Sequence, residues 1–431
     1  MNIEDIYKIY QQHPSIQTDT RKLKKGDLFF ALKGPNFNGN QFAHIALESG
    51  AAFAFVDEDL LSKDDRIIFT DDVLQTLQDL AKFHRIKLEK SSSGRTIPFI
   101  AITGSNGKTT TKELLSKVLS SAFKTYTTEG NLNNHIGVPL TILKIREDVE
   151  MAVIEMGANH LEEIAGYCKY AMPTHGLITN CGKAHLEGFG SIENVKKGKG
   201  ELFDYLREHD GIAFINEDDA SLIKLSNGIN EVVYYGSEGN DVAGTISNSD
   251  PFLEIKITHP VQIDVKTNLV GAYNFSNVMA AFCIGRFFNV DDQKIKDAIQ
   301  DYFPSNSRSQ LIKMGSNTII SDTYNANPGS MKAAIENFAF MQGNKKILML
   351  GGMMELGSES KNEHAAILSL IDKYKWADVV LVGEGFTEIP NNYINLENAS
   401  QAKQWLKKLN SENALILVKG SRSMQMEKVL Q

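Results

Sequence analysis

Three consecutive α/β domains are predicted for this 431-residue chain, the central one on a P-loop ATPase-like parallel sheet and the C-terminal one Rossmann-like. Three observations predict this. The length exceeds what one hydrophobic core usually serves. Short β-branched runs alternate with amphipathic segments, the pattern of a parallel sheet with crossover helices. The stretch ITGSNGKTTTKE, residues 102–113, sets a glycine-rich turn between an apolar run and a helical one, the context a phosphate-binding loop requires.

In residues 1–92, GDLFFAL, AAFAFVDE and DRIIFTD read as strands, while NQFAHIALESG and VLQTLQDLAKFHRIKLEK have helical spacing. The polar run KSSSGR, residues 90–95, has linker composition and precedes the apolar PFIAITG, which places the first boundary at 92/93. Across 93–304 the strands PFIAITG, MAVIEMG, HGLITN and GIAFIN are separated by helical stretches such as TTKELLSKVLSSAF and SIENVKKGKGELFDYL. VVYYG, FLEIKIT and VQIDVKT then read as β-rich pieces, followed by two helices ending near Phe303. A third alternating unit, 305–431, carries the strands NTIISD, KKILMLGG, ADVVLVG and NALILVKG. No repeat of fixed period interrupts this order.

Composition narrows the function classes. Apolar residues make up 42% and charged residues 23%, ordinary for a soluble globular protein. A net charge of −8 argues against a general polyanion binder, so nucleic acid is not an expected partner. Cys168, Cys181 and Cys283 are odd in number and lack C-x-x-C spacing, which supports neither a disulfide framework nor a zinc site. The start, MNIEDIYKIYQQHP, carries acids where a signal peptide is basic and then apolar. No run approaches the roughly 18 apolar residues of a membrane span. A soluble, cytoplasmic protein without a membrane span is the expectation.

The glycine-rich turn carries the chemistry. In the G-x-x-x-x-G-K-[ST] pattern the opening glycine falls on Ile102, so the loop is a shortened form. Leu114, Leu115 and Val118 share a face of the helix that follows. Gly104, Ser105, Asn106, Gly107 and Thr110 would then surround nucleotide phosphates, Lys108 would give a point charge to the outer ones, and the Thr109 hydroxyl would reach magnesium. Glu155 ends the apolar run MAVIE, where a second magnesium ligand would sit, although an acid there pairs with a lysine about as often. A lone histidine such as His185 in GKAHLEGFG is more often packed than ligating. By composition, Lys196, Lys197 and Lys199 in VKKGKGELF read as a solvated helix face.

Together with TTEGNLNNHIGVPLTIL, IEMGA, AHLEGFGS, KGKGELF and GAYNFSNVMAA, the loop TGSNGKTT resembles the Mur ligase family, ATP-dependent amide ligases that build the peptidoglycan stem peptide. Within it, TDTRKLKKGDLFFALKG looks like a uridine-binding motif, and DTYNANPGSMKAA, MELG and KGSRSMQME look like the branch that adds D-alanyl-D-alanine to UDP-N-acetylmuramoyl-tripeptide. No D-N-P-R type of motif, common in the ligase that adds the third residue, is present. Three places depart from the pattern. Gly352 stands where aspartate is usual, Ser307-Arg308 where Gly-Arg is usual, and Gly39-Asn40 departs from Asp/Asn-Gly-His.

The resemblance implies a mechanism and a site. A carboxylate attacks the terminal phosphate of ATP to give an acyl phosphate, and the dipeptide amine then attacks the activated carbonyl as two domains close. Lys108 and two Mg2+ ions would neutralise the anions that otherwise repel. The resemblance makes Thr109 a ligand of one ion and Glu155, His185 and a carbamylated Lys199 ligands of the other, with Lys108, Lys199 and His185 as the catalytic set. Carbamylation would turn a cation into an oxygen ligand, reversing the compositional reading of Lys199. Asn274, Asn277, Arg308 and Asp322 would contact ATP. Thr20 and Arg21 would hold the uridine nucleotide in a UDP-sugar-binding first domain, Asn133 and Asn134 would line the groove to the reacting end, and Tyr324, Asn325 and Asn327 would lie near the ATP and dipeptide. NANP also reads as a helix-opening turn, because Asn favours turns and Pro suits a first helical turn. A monomer is expected. The rival readings are another ligase of the superfamily, of the third-residue-adding or folylpolyglutamate type, and a nucleotide-binding module without turnover.

Overall fold

The computed structural model describes residues 1–60, 64–88, 96–238, 241–305, 307–409 and 412–431. The linker expected at 90–95, with its boundary, lies outside the described residues.

Hydrophobic runs become strands of three main sheets and one small antiparallel pair among the described residues. The first six strands are β1 (Ile16–Gln17), β2 (Leu28–Phe30), β3 (Lys33–Gly34), β4 (Phe37–Asn38), β5 (Phe53–Val56) and β6 (Ile67–Phe69). Four of them form a parallel sheet in the order β1-β2-β5-β6, while β3 and β4 make a separate antiparallel pair. Nine follow: β7 (Phe99–Thr103), β8 (Thr125–Thr127), β9 (Met151–Glu155), β10 (His175–Ile178), β11 (Ile212–Asn216), β12 (Glu231–Gly236), β13 (Val242–Asn248), β14 (Phe252–His259) and β15 (Ile263–Val270). Their order is β15-β14-β13-β12-β11-β10-β7-β9-β8. The β-rich pieces expected after Glu231 extend this sheet, and β13, β14 and β15 pair antiparallel. The last six are β16 (Gln310–Met314), β17 (Asn317–Asp322), β18 (Lys345–Gly351), β19 (Asp378–Val382), β20 (Ile394–Leu396) and β21 (Ala414–Lys419). They form the order β16-β17-β21-β18-β19-β20, parallel except for β16.

By compactness the chain divides into two units. The first comprises Met1–Ala101, Phe123–Gly157 and Glu163–His175. Its helix Val73–Lys87 starts at Asp72, whose side chain accepts from Gln75 N, and buries Val73, Leu77, Leu80, Ala81 and His84 on one stripe. His84 is held by its ring, with Nε2 at 2.8 Å from Ile145 O and Nδ1 at 3.2 Å from Tyr7 OH. Burial lowers its pKa to about 4.

The second unit comprises Ile102–Ala122, Ala158–Glu162 and Gly176–Gln431. Helix Lys108–Ser120 buries Leu114, Leu115, Val118 and Leu119, the face its spacing predicts. Helix Phe275–Phe287 is buried from Asn277 to Gly285, as an interior helix must be. The two helices approach closely because Gly285 lacks a side chain: a Cβ there would lie 2.5 Å from Val118 Cγ1. Helix Pro328–Phe340 opens on a capping box in which Asn327 accepts from Ser330 N, with Pro328 in the first turn, so the helix-opening reading of NANP holds.

The compositional reading of the lysine run is corrected at one position. Helix Ile192–Glu208 leaves Lys197 exposed and Lys196 half-buried, but Lys199 is 0% exposed. Gly198 lets the backbone approach Phe189 so closely that a Cβ would lie 2.6 Å from Cε1 of that ring. Two glycines beside a lysine therefore mark close packing here rather than a solvated face.

Candidate functional site: a clasped phosphate loop

β7 ends at Thr103, and the chain turns through Gly104 to Gly107 before the helix begins at Lys108. Gly104 sits at φ +139 and Gly107 at φ +83, conformations that side-chain-bearing residues rarely adopt. The helix start leaves its first amides without intrahelical acceptors, which makes the turn suited to an anion. The Lys108 ammonium donates to Gly104 O at 2.6 Å and Ser105 O at 3.3 Å, so it lies along the loop. Thr109 and Thr110 are buried in the first helical turn.

The residues that follow β10 clasp this loop. Ser105 N donates to Asn180 O at 2.9 Å and Ser105 Oγ to Gly182 O at 2.8 Å. Asn106 N donates to Asn180 Oδ1 at 3.1 Å, and Asn106 O accepts from Thr179 Oγ1 at 2.6 Å and Asn180 Nδ2 at 3.0 Å. Sequence reasoning read HGLITN only as a strand and missed Thr179 and Asn180 as site residues. The signal was there: two hydrogen-bonding residues directly at the end of a buried apolar strand.

Two further groups brace the loop. Asn277 Oδ1 accepts from Thr111 Oγ1 at 3.1 Å, Asn277 Nδ2 donates to Asn274 Oδ1 at 2.9 Å, and Asn274 Nδ2 donates to Val270 O at 3.0 Å. Both asparagines are thus engaged by protein groups behind the helix start. From the NANP turn, Asn327 Nδ2 donates to Asn106 Oδ1 at 2.8 Å, joining residues 221 positions apart in sequence.

Around β17, Asp322 receives Lys419 Nζ at 2.5 Å and Ser309 N at 3.2 Å. Lys419 also donates to Asn325 O at 3.2 Å, and Arg422 N to Asn325 Oδ1 at 3.3 Å. The Arg308 guanidinium lies 3.8 Å from the Tyr324 ring centroid. Its Nε is buried without a hydrogen-bond partner among the described residues. The strand end therefore gathers Arg308, Asp322, Tyr324 and Asn325.

Lys199 Nζ donates to Ala158 O at 2.8 Å and lies 5.2 Å from the Phe189 ring centroid. His185, at φ +53, faces Glu355 with Nδ1 2.5 Å from Oε2. Glu355 is held below the ordinary glutamate range by that contact. In the first unit Glu155 is 1% exposed, and its Oε1 accepts from Asn133 Nδ2 at 2.7 Å. Asn134 Oδ1 accepts from Gly137 N at 2.8 Å, opening helix Gly137–Leu143. Thr20 starts a short 3-10 turn, and the exposed Arg21 pairs with Asp19 through two bonds of 2.8 Å. Among the described residues no three His, Cys, Asp or Glu side chains form a metal cluster.

Family models match three consecutive stretches: the Mur ligase family catalytic domain over residues 14–85, the Mur ligase middle domain over 102–285 and the Mur ligase glutamate ligase domain over 307–422. The chain is 33% identical over 428 residues to the UDP-N-acetylmuramoyl-tripeptide--D-alanyl-D-alanine ligase of Bacillus subtilis (strain 168), covering 96% of this chain and 92% of that one. This chain belongs to the Mur ligase family. The ligase of the same name from Escherichia coli (strain K12) is 34% identical over 441 residues, with the same coverage of 96% and 92%. The crystal structure of a MurF ligase from Thermotoga maritima in complex with ADP superposes with a TM-score of 0.86 at 27% identity, covering 97% of this chain and 96% of that one.

Two of the three departures of this Mur ligase from the family pattern have local explanations. Ser307 sits at φ +56, where the usual glycine carries no Cβ strain. Its carbonyl accepts from Thr323 N at 2.9 Å and Tyr324 N at 3.2 Å, which holds it there. Asn40 is 1% exposed, donates to Asp57 Oδ1 at 2.8 Å and accepts from Asp57 N at 3.0 Å. A neutral amide thus fills that buried place in the Mur ligase with both ends bonded. At Gly352 a Cβ would lie 3.6 Å from His364 Nε2, so space does not demand glycine. Nothing in the structure explains that substitution.

Proposed function

We propose that the chain joins D-alanyl-D-alanine to UDP-N-acetylmuramoyl-tripeptide with hydrolysis of ATP to ADP and phosphate, through an acyl phosphate, in peptidoglycan precursor synthesis. The carrying observation is the match to ligases of that name along 96% of this chain. The clasped loop adds a physical reason: Asn327 of the dipeptide-branch motif bonds directly to Asn106 of the phosphate loop.

Three domains, 1–92, 93–304 and 305–431, serve this reaction in our reading. Gly104, Ser105, Asn106, Gly107, Lys108, Thr109 and Thr110 receive ATP phosphates, with Lys108 fixing positive charge where two anions must meet. Arg308 and Asp322 contact the nucleotide, and Asn274 and Asn277 act on it through the helix start. Thr20, Arg21, Asn133 and Asn134 serve the UDP-linked substrate, and Tyr324, Asn325 and Asn327 the dipeptide. Hard oxygen donors suit Mg2+, which takes one or two carboxylates with phosphate oxygens and water and needs no all-protein cage. The buried Thr109 hydroxyl and Glu155 carboxylate fit that chemistry, and we assign Thr109 to one ion and Glu155, His185 and carbamylated Lys199 to another. When bound, Mg2+ neutralises phosphate charge and polarises the transferred phosphoryl group. Lys199 is 0% exposed beside Phe189, and carbamylation would give that buried position the oxygen donor our assignment requires. We read the enzyme as a monomer of the cytoplasm; among the described residues no helix is long and apolar enough to cross a membrane.

The test is phosphate release over a matrix of UDP-linked peptides against D-alanyl-D-alanine, D-alanine, diaminopimelate and glutamate. Preference for the dipeptide supports the assignment. Preference for diaminopimelate or glutamate moves the chain to another branch, and silence with every pair would make it a non-catalytic nucleotide module.

A further inference from the structure

The motif KGSRSMQME, residues 419–427, begins at the last residue of β21 and forms the turn beyond it. β21 runs parallel between β17 and β18, and the loops beyond the carboxyl ends of such strands are where open α/β sheets hold ligands. Both neighbours pin this turn. Arg422 N donates to Asn325 Oδ1 at 3.3 Å beyond β17, and Ser421 N donates to Gly352 O at 3.2 Å beyond β18. The fit is tight at Gly420, where a Cβ would lie 2.6 Å from Met426 Cγ and 3.0 Å from Gly351 Cα. The two cations of the motif differ in what they hold. Lys419 is 2% exposed, and its ammonium donates to Asp322 Oδ2 at 2.5 Å and Asn325 O at 3.2 Å. The Arg422 side chain is 67% exposed, and its Nη1 donates to Glu427 Oε1 at 3.2 Å. Among the described residues its Nε and Nη2 have no hydrogen-bond partner. Those two nitrogens form the guanidinium edge that can pair side-on with both oxygens of a carboxylate.

We propose that Arg422 determines specificity for the dipeptide by binding its terminal carboxylate through Nε and Nη2. The inference rests on the reading of this chain as the ligase that adds D-alanyl-D-alanine. In that dipeptide the reacting amine and the carboxylate lie at opposite ends, so an anchor for the carboxylate must stand about two residues, roughly 7 Å, from the place where the amine reacts. The turn after β17 supplies that spacing. Asn325 accepts from the backbone of Arg422, and Asn327, two positions on, donates to Asn106 Oδ1 of the phosphate loop at 2.8 Å. A single amino acid held at the same anchor would leave its amine about 3.5 Å short. Glu427 serves by keeping Nη1 occupied, which leaves the side-on edge for the ligand.

The test pairs a change in the protein with a change in the ligand. Full-length wild type, Arg422→Met and Arg422→Lys are given ATP, Mg2+ and UDP-N-acetylmuramoyl-tripeptide with either D-alanyl-D-alanine or D-alanyl-D-alaninamide, which keeps the amine and lacks the carboxylate. For the wild type, kcat/KM with the amide is expected to be about 10- to 150-fold below that with the dipeptide, the range of a hydrogen bond to a charged group. Arg422→Met is expected to lose about the same factor on the dipeptide, through KM with kcat within about 3-fold. It is then expected to favour the dipeptide over the amide by less than about 3-fold. Arg422→Lys, a point charge without the fork, is expected to fall between the two. ADP affinity and the thermal melt of Arg422→Met should match wild type, because the side chain is exposed. The wild-type comparison of the two ligands stands even if a variant melts early. A wild type that uses the amide as well as the dipeptide, or an Arg422→Met that keeps the full preference for the carboxylate, overturns the proposal and leaves the ligase reading in place. A wild type that takes another amine in preference to the dipeptide overturns the ligase reading, and the proposal with it.

Discussion

Replacing Gly104 by alanine puts a methyl group where the clasp has no room. The new Cβ would lie 2.0 Å from Thr179 Oγ1, 3.0 Å from Thr179 N and 3.1 Å from Asn180 N. Ordinary contact begins at 3.4 Å, so the Thr179 hydroxyl must retreat by about 1.4 Å, and its 2.6 Å bond to Asn106 O cannot survive that. Losing that bond costs about 1 kcal/mol, and an alanine forced to φ +139 costs about 1–3 kcal/mol. The expected total is about 2–4 kcal/mol, followed by urea unfolding of the transition that reports on this unit. ADP affinity, measured by calorimetry, should fall at least about 10-fold because the loop that receives the phosphates has moved. Thr179→Ala removes the clashing hydroxyl, so Gly104→Ala should cost about 1 kcal/mol less in that background. A cost below about 0.5 kcal/mol, or strict additivity of the two changes, would refute the clasp.

Lys199→Met keeps the buried volume but removes the donor to Ala158 O, so stability should fall by about 1–3 kcal/mol while turnover falls at least about 100-fold; Lys199→Ala should regain part of its turnover with added formate or acetate. Near-normal turnover of Lys199→Met would reduce Lys199 to a packing residue. Burial lowers the pKa of His84 and His175 from the ordinary 6.5 to about 4. Between these values the unfolded chain binds more protons than the native one, so stability is full above 6.5 and declines as pH falls towards 4. Each histidine accounts for up to about 3 kcal/mol of that loss, and His84→Gln should flatten the pH dependence of the urea midpoint in this window. Ser307→Gly should raise stability by about 0.5–1 kcal/mol, because it relieves a left-handed φ; an unchanged or lower melting temperature would count against strain at that turn.

How much of this was legible in the sequence follows from the range of the forces involved. Local patterns read well: FIAIT, MAVIE and ILMLG became buried strands, and Leu114, Leu115 and Val118 faced inward as their spacing requires. Asn327 and Pro328 opened a helix because caps depend on neighbours only a few residues away. Short elements without a period were not separately identified, such as strand Thr125–Thr127 and helix Gly137–Leu143. What stayed hidden was set by distant partners. Thr179 meets Asn106 across 73 positions, Asn106 meets Asn327 across 221, and neither pairing leaves a periodic trace. Lys199 looked solvated because composition cannot report that Gly198 has brought Phe189 against the helix.

The central claim is that this chain makes an amide bond to a dipeptide at the expense of ATP. The most direct measurement is mass analysis of the UDP-linked product after incubation with ATP, Mg2+, UDP-N-acetylmuramoyl-tripeptide and D-alanyl-D-alanine, with Lys108→Ala as control. The account predicts a UDP-N-acetylmuramoyl-pentapeptide formed in step with ADP by the wild type, and none by a Lys108→Ala variant that melts normally. An unchanged tripeptide, or a product carrying a single added amino acid in preference to the dipeptide when both are offered, would contradict it.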